Sequence, residues 1–163
     1  MEKQAQISPN LYYDERSAGG IVFKVDNGKP LYLLIKTFAR KNKRTIYKFP
    51  KGHLKDNEVL KQAALREVEE EGRVKSKIVA KIGSNDYIIW DKLEKRKIIK
   101  KVTFFLMEYS EQSNLKYYDS EVVLGRDWMT FEEAAHKLAF DSEKVLLQKA
   151  KWKLDQVLKS PAR

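Results

Sequence analysis

"GHLKDNEVLKQAALREVEEEGRV", residues 52–74, decides how this chain is read. Asp56 and Asn57 are both good helix N-caps. A helix is therefore expected after one of them, running to about Glu71, with Gly72 supplying the left-handed turn that ends it. At about 100° per residue, Glu67, Glu70 and Glu71 share an arc with Val59, Leu60, Ala63 and Ala64. Glu58 and Glu69 fall on the opposite side, where a solvated face would place all the acids. Carboxylates four residues apart repel even when exposed, and partial burial raises that cost steeply. A hard divalent cation, Mg²⁺ or Mn²⁺, relieves it through oxygen ligands. Mg²⁺ keeps several waters and usually bridges carboxylates to substrate phosphates, so the pattern points to phosphate chemistry. The other reading is a salt-bridge cluster at a helix end. Arg66, an i,i+4 neighbour of Glu70, serves either.

Outward from this helix the chain reads as hairpins. "SAGGIVFKV" (17–25) is strand-like, "NGK" (27–29) is a turn, and "PLYLLIKTF" (30–38) returns. "IYKFP" (46–50) is a short strand stopped by Pro50. Two longer strands, 78–90 and 97–109, flank the basic turn "DKLEKR", and 120–130 holds another short strand. From Phe131 to about Leu158 two amphipathic helices are expected, split near Asp141. Hairpins with helices in the middle and at the end predict an α+β fold, a mixed sheet with helices packed on it. The length of 163 residues suits a single domain over 11–163, preceded by a flexible polar tail at 1–10.

Composition narrows the chemistry. There are no cysteines, which excludes disulfides, thiolate metal sites and a cysteine nucleophile. No secretory signal and no membrane-length apolar run is seen, so no membrane partner and a cytoplasmic location are expected. Lys and Arg total 33 against 23 acids, a formal charge of +10 that attracts polyanions or serves as a solvated surface.

The opening segment resembles the Nudix box, the signature of hydrolases acting on a nucleoside diphosphate linked to another group. That pattern is Gly, five residues, Glu, seven residues, then Arg-Glu-apolar-any-Glu-Glu-any-Gly-apolar. Gly52, Glu58, Arg66, Glu67, Val68, Glu70, Glu71 and Val74 fall in place. One position departs: the last glycine falls at Arg73, with Gly72 one residue earlier, so a shifted C-terminal turn is expected. "SAGGIVF" and "KFPKGHLKDNE" are similar to members that hydrolyse diadenosine polyphosphates and inositol pyrophosphates, and "WMTFEEA" (128–134) to a closing element of that fold. The resemblance covers most of 16–157 and implies an α/β/α sandwich around a mixed sheet.

The resemblance also implies roles. Glu67, Glu70 and Glu71 would hold Mg²⁺ or Mn²⁺, with the Gly52 carbonyl as a further ligand. Arg66 would orient a glutamate, and Glu58 would support the ligands from behind. Water, not a covalent protein nucleophile, would attack phosphorus. The general base would be Glu70 or a later acid, with Glu121 the candidate and Asp119 and Glu111 behind it. Lys48, Lys51 and His53 flank the box and are candidate phosphate contacts. The basic loops 39–45 and 92–101 either frame a polyphosphate or are merely solvated. Tyr87 and Trp90 could stack on a base, with core packing the expectation. The favoured substrate is diadenosine tetraphosphate or a similar dinucleoside polyphosphate. A triphosphorylated RNA 5′ end, an inositol pyrophosphate or a nucleoside triphosphate are alternatives, and a non-catalytic nucleotide- or RNA-binding module is a further one. No oligomeric state is assigned.

Overall fold

A computed structural model describes residues 14–116 and 122–160. Seven strands and three helices follow in order: β1 (Glu15–Asp26), β2 (Lys29–Phe38), β3 (Thr45–Lys48), β4 (Lys51–His53), α1 (Leu60–Gly72), β5 (Val74–Asp91), β6 (Arg96–Gln112), β7 (Val123–Met129), α2 (Phe131–Lys137) and α3 (Asp141–Lys159). The main sheet order is β3-β2-β1-β6-β5, with β4 paired to β1 and β7 to β2. β1 runs parallel to β6 and the other pairings are antiparallel. The sheet is mixed, as expected.

β1 is buried without a break from Ser17 to Phe23. A half-covered strand would alternate; an unbroken run means both faces are covered. One face carries Ile21, Phe23, Leu34, Phe104 and Leu106 against Leu146, Leu147, Ala150 and Leu154 of α3. The other carries Ala18, Val22, Leu33, Phe105 and Met107 against Ala63, Ala64 and Val68 of α1. The result is an α/β/α sandwich with the acid-rich helix on one side and the C-terminal helix on the other. A Cβ at Gly20 would run into Val68 and Met107, so this glycine lets α1 approach β1 closely.

Two expectations about α1 are corrected. Its N-cap is Val59, whose N–H donates to the Gln62 side chain at 3.1 Å. Asp56 and Asn57 form a turn ahead of it instead, with Asn57 at φ 62°. At the other end Gly72 stays helical, and Arg73 takes the left-handed position at φ 58°, ψ 32°. The turn has not shifted: Arg73 adopts the conformation a glycine would have there. Glycine at 72 serves packing, since a Cβ there would meet Leu33 at 3.0 Å.

Strand β4 was not foreseen, because three residues after a proline carry no periodicity. The expected strands at 78–90 and 97–109 are longer than read, at Val74–Asp91 and Arg96–Gln112. Tyr87 and Trp90 are exposed, which overturns the core-packing expectation. They sit where this hairpin outruns its neighbour: β1 pairs with β6 only from Lys100 onward.

Candidate active site

Three adjacent pieces build the site. The pairing of β4 with β1 sets Ala18 opposite Gly52 and lays that glycine against α1. A Cβ at Gly52 would overlap the Glu67 carboxylate, so only hydrogen fits there. The Lys51 N–H donates to Glu71 Oε2 at 3.2 Å, tying β4 to the last turn of the helix.

Arg66 organises the acids. Its Nε and Nη2 donate to the two oxygens of Glu58, each at 2.8 Å. Nη1 donates to Glu67 Oε1 at 2.8 Å and to Glu70 Oε2 at 3.1 Å, and Nη2 also to the His53 carbonyl at 2.9 Å. Each of the five guanidinium N–H donors thus has an acceptor. The paired Glu58–Arg66 bonds hold the Glu58 carboxyl down at about 2, and the same carboxylates raise Arg66 further above its ordinary value.

Glu67 and Glu71 are buried and Glu71 is only 3% exposed. The buried stripe of α1 is Ala63, Ala64, Glu67, Val68, Glu71 and Gly72. It is rotated toward Val68 relative to the expected arc, leaving Val59 exposed and Glu70 at its margin. Among the described residues no three His, Cys, Asp or Glu side chains stand in ligand geometry. Glu67 and Glu70 bond to Arg66, and Glu71 accepts from the Lys51 amide. The donor chemistry still fits a hard divalent cation: three carboxylates gathered on one side of a helix beside a backbone position that no side chain can fill. Glu69 leaves this face, as expected, and accepts from Ser113 Oγ at 2.8 Å.

The flanking candidates separate. Lys48 is only 8% exposed, whereas Tyr47 is half-buried and donates its hydroxyl to Asp127 at 2.8 Å. Lys48 is thus the more enclosed of the two. His53 is exposed, with Ser17 Oγ at 3.2 Å and Glu15 at 3.9 Å. Glu111 is exposed and pairs with Lys75 at 3.6 Å, outside the Arg66 network. Glu121 and Asp119 lie outside the described residues.

Sequence reasoning missed Glu143. It is 2% exposed, and its carboxylate accepts the Phe49 N–H at 2.8 Å, directly behind the segment carrying Lys48, Lys51 and Gly52. Burial pushes it up to about 7, against the pull of the amide bond and of Lys51 and Lys48. Arg126, also missed, donates from Nε to the Glu71 carbonyl at 2.6 Å and anchors the end of α1 to β7.

A model of the NUDIX domain matches residues 14–149. The chain belongs to the Nudix family. Its mixed sheet between helices is the fold of this family, whose hydrolases generally work with a divalent metal. Over 147 residues this Nudix chain is 29% identical to a Mycobacterium tuberculosis protein that carries the name mutator protein MutT4. The match covers 88% of the chain, which spans 57% of that curated relative's length. A Nudix hydrolase from Nitrosomonas europaea superposes with a TM-score of 0.66 at 17% identity, covering 85% of this chain and 89% of that one. The C. elegans Ap4A hydrolase, in a binary complex, does so at 0.61 and 20%, covering 87% and 98%. At these identities the structural likeness concerns the fold. Among the described residues no helix is long and apolar enough to cross a membrane.

Proposed function

We propose that this Nudix domain is a Mg²⁺- or Mn²⁺-dependent pyrophosphohydrolase whose favoured substrate is a dinucleoside polyphosphate such as diadenosine tetraphosphate, cleaved asymmetrically. The observation that carries it is the Arg66 hub, which gathers Glu58, Glu67 and Glu70 beside the side-chain-free Gly52. Glu67, Glu70, Glu71 and the Gly52 carbonyl would hold the cation. Once bound, the cation neutralises polyphosphate charge and polarises phosphoryl oxygens.

The rest falls to the chain's own groups. Arg66, itself held by Glu58, fixes the directions of Glu67 and Glu70. Glu70, at the margin of the buried stripe, takes the proton of the attacking water, with Glu121 the alternative base. Lys48, Lys51 and His53 hold phosphate oxygens. The charge of +10 favours a substrate with many phosphates over a small nucleotide sugar, and "KFPKGHLKDNE" supports the dinucleoside type.

The test is product analysis with purified chain and Mg²⁺ over diadenosine tetraphosphate, nucleoside triphosphates, ADP-ribose, inositol pyrophosphate and triphosphorylated RNA. ATP and AMP from diadenosine tetraphosphate, lost in Glu70→Gln without loss of folding, is the expected result. No release from any of them overturns the enzymatic reading, and preference for the RNA overturns the dinucleoside one.

A further inference from the structure

A cationic surface lies on the opposite side of the sheet from α1. A groove of about 330 Å³ between α3 and the edge strand β5 is lined by Lys81, Ile82, Lys149, Trp152 and Lys153, with no carboxylate in its wall. Among the described residues none of the three lysines pairs with an acid. Trp152 is 65% exposed although it sits mid-helix.

The projecting hairpin prolongs this surface. Val102, Phe104 and Leu106 of β6 face α3, and strand alternation carries Ile98 and Lys100, the latter paired with Glu15 at 2.7 Å, to the same side. Their cross-strand partners Tyr87 and Ile89 join them, whereas Trp90 and Ile88 face the other way. From Ile82 to Ile89 the surface covers about 24 Å at the rise of a strand. Trp152 stands among the three lysines toward one end, and Tyr87 toward the other beside the Lys100–Glu15 pair. An isolated two-stranded ribbon with apolar side chains open to water is marginal on its own, so the surface suits a ligand with aromatic planes and repeated negative charge.

We infer that the α3–β5 groove and the adjoining face of the hairpin form an accessory binding site for a single-stranded polynucleotide. Trp152 and Tyr87 stack on bases, and Lys81, Lys149 and Lys153 neutralise phosphates. A mononucleotide would leave most of the row unused. A second copy of a chain carrying +10 would bring like charges together. The site stands apart from the catalytic acids and does not depend on the hydrolase reading.

Anisotropy of a labelled twelve-nucleotide single-stranded RNA with a 5′-hydroxyl tests it, since this probe contains no phosphoanhydride to hydrolyse. The full chain is expected to bind with a steep salt dependence, and Glu70→Gln to bind equally well. Trp152→Ala and Tyr87→Ala each weaken binding roughly tenfold or more. Lys149→Ala/Lys153→Ala lowers the log–log salt slope by about 1.4. Trp90→Ala, on the other face of the same strand, leaves affinity unchanged. Equal loss in Trp90→Ala and Tyr87→Ala, or native affinity in Trp152→Ala, overturns the proposal. So does an absence of RNA binding together with a concentration-dependent dimer that Trp152→Ala abolishes, which would assign the surface to a second copy. Circular dichroism of each variant confirms the fold.

Discussion

Arg73 shows how much a single residue absorbs here. A left-handed backbone costs a non-glycine residue roughly 1 kcal/mol or more. Its Nη1 recovers part of that by donating to the Leu115 carbonyl at 2.8 Å, while the Ser113 N–H donates to the Arg73 carbonyl at 2.9 Å. Arg73→Ala keeps the strain and loses the side-chain bond, so urea unfolding should show it about 1 kcal/mol less stable than the native chain. Arg73→Gly loses the bond and also relieves the strain, and should lie within about 0.5 kcal/mol of native. If the two variants were equally destabilised, the left-handed strain would be ruled out as a cost. At Gly52 the requirement is steric. Gly52→Ala should displace the Glu67 carboxylate and lower kcat by about tenfold or more with little change in melting temperature, because the displaced group sets ligand geometry. Glu58→Gln tests the guanidinium pairing. A carboxyl held at about 2 in the fold and near 4.5 when unfolded stabilises the chain above pH 4.5 and loses that contribution as pH falls toward 2. Glu58→Gln should therefore flatten the acid limb of the stability curve.

Among the elements, the two long helices carry the same signal and only one was read. In α1 the acids sharing the apolar stripe marked the candidate site. In α3, Glu143 stands in register with Leu146, Leu147, Ala150 and Leu154, the i, i+3, i+4, i+7 pattern of a buried face, and the same logic would have found it. The acid-rich motif was legible because residue spacing on one helix fixes which side chains share a face. The partners of Glu143 and Arg126 were not, because Phe49 and Glu71 reach them only through tertiary packing. The Gly72–Arg73 turn differs from expectation for a related reason: glycine propensity argued for Gly72, but that glycine leaves room for Leu33 while Arg73 takes the left-handed position. Glu143 yields a pH prediction opposite to that of Glu58. Its folded value of about 7 lies above its unfolded 4.5, so its contribution is fully present below pH 4.5 and is lost as pH rises through 7. Glu143→Gln keeps an oxygen for the Phe49 amide and cannot ionise. Thermal melts should show the variant more stable than the native chain at pH 8, by on the order of 1–3 kcal/mol, and close to it at pH 4.5.

For the whole molecule, a cation bound by the folded state alone stabilises it by mass action, about 2.7 kcal/mol at a hundredfold excess over Kd. The native melting temperature should rise with added Mg²⁺ or Mn²⁺, and that of Glu70→Gln/Glu71→Gln should not. A native melt indifferent to both ions would remove these acids from metal binding. The sandwich itself was legible as hairpins and amphipathic helices, but the parallel pairing of β1 with β6 was not, because its partners are remote in sequence: Ser17 lies beside Val102. That pairing has a consequence for how the protein acquires its shape. The β5–β6 hairpin closes through a short turn and pairs residues close in sequence. β4 and α1 instead lie within the long loop that β1 and β6 close, a step that costs chain entropy before any contact offsets it. Contact order therefore favours closing the hairpin before the β1–β6 pairing. The Arg66 hub draws only on residues between His53 and Glu70, but the sheet that backs it is complete only once the first strand has found a partner laid down about half the chain later.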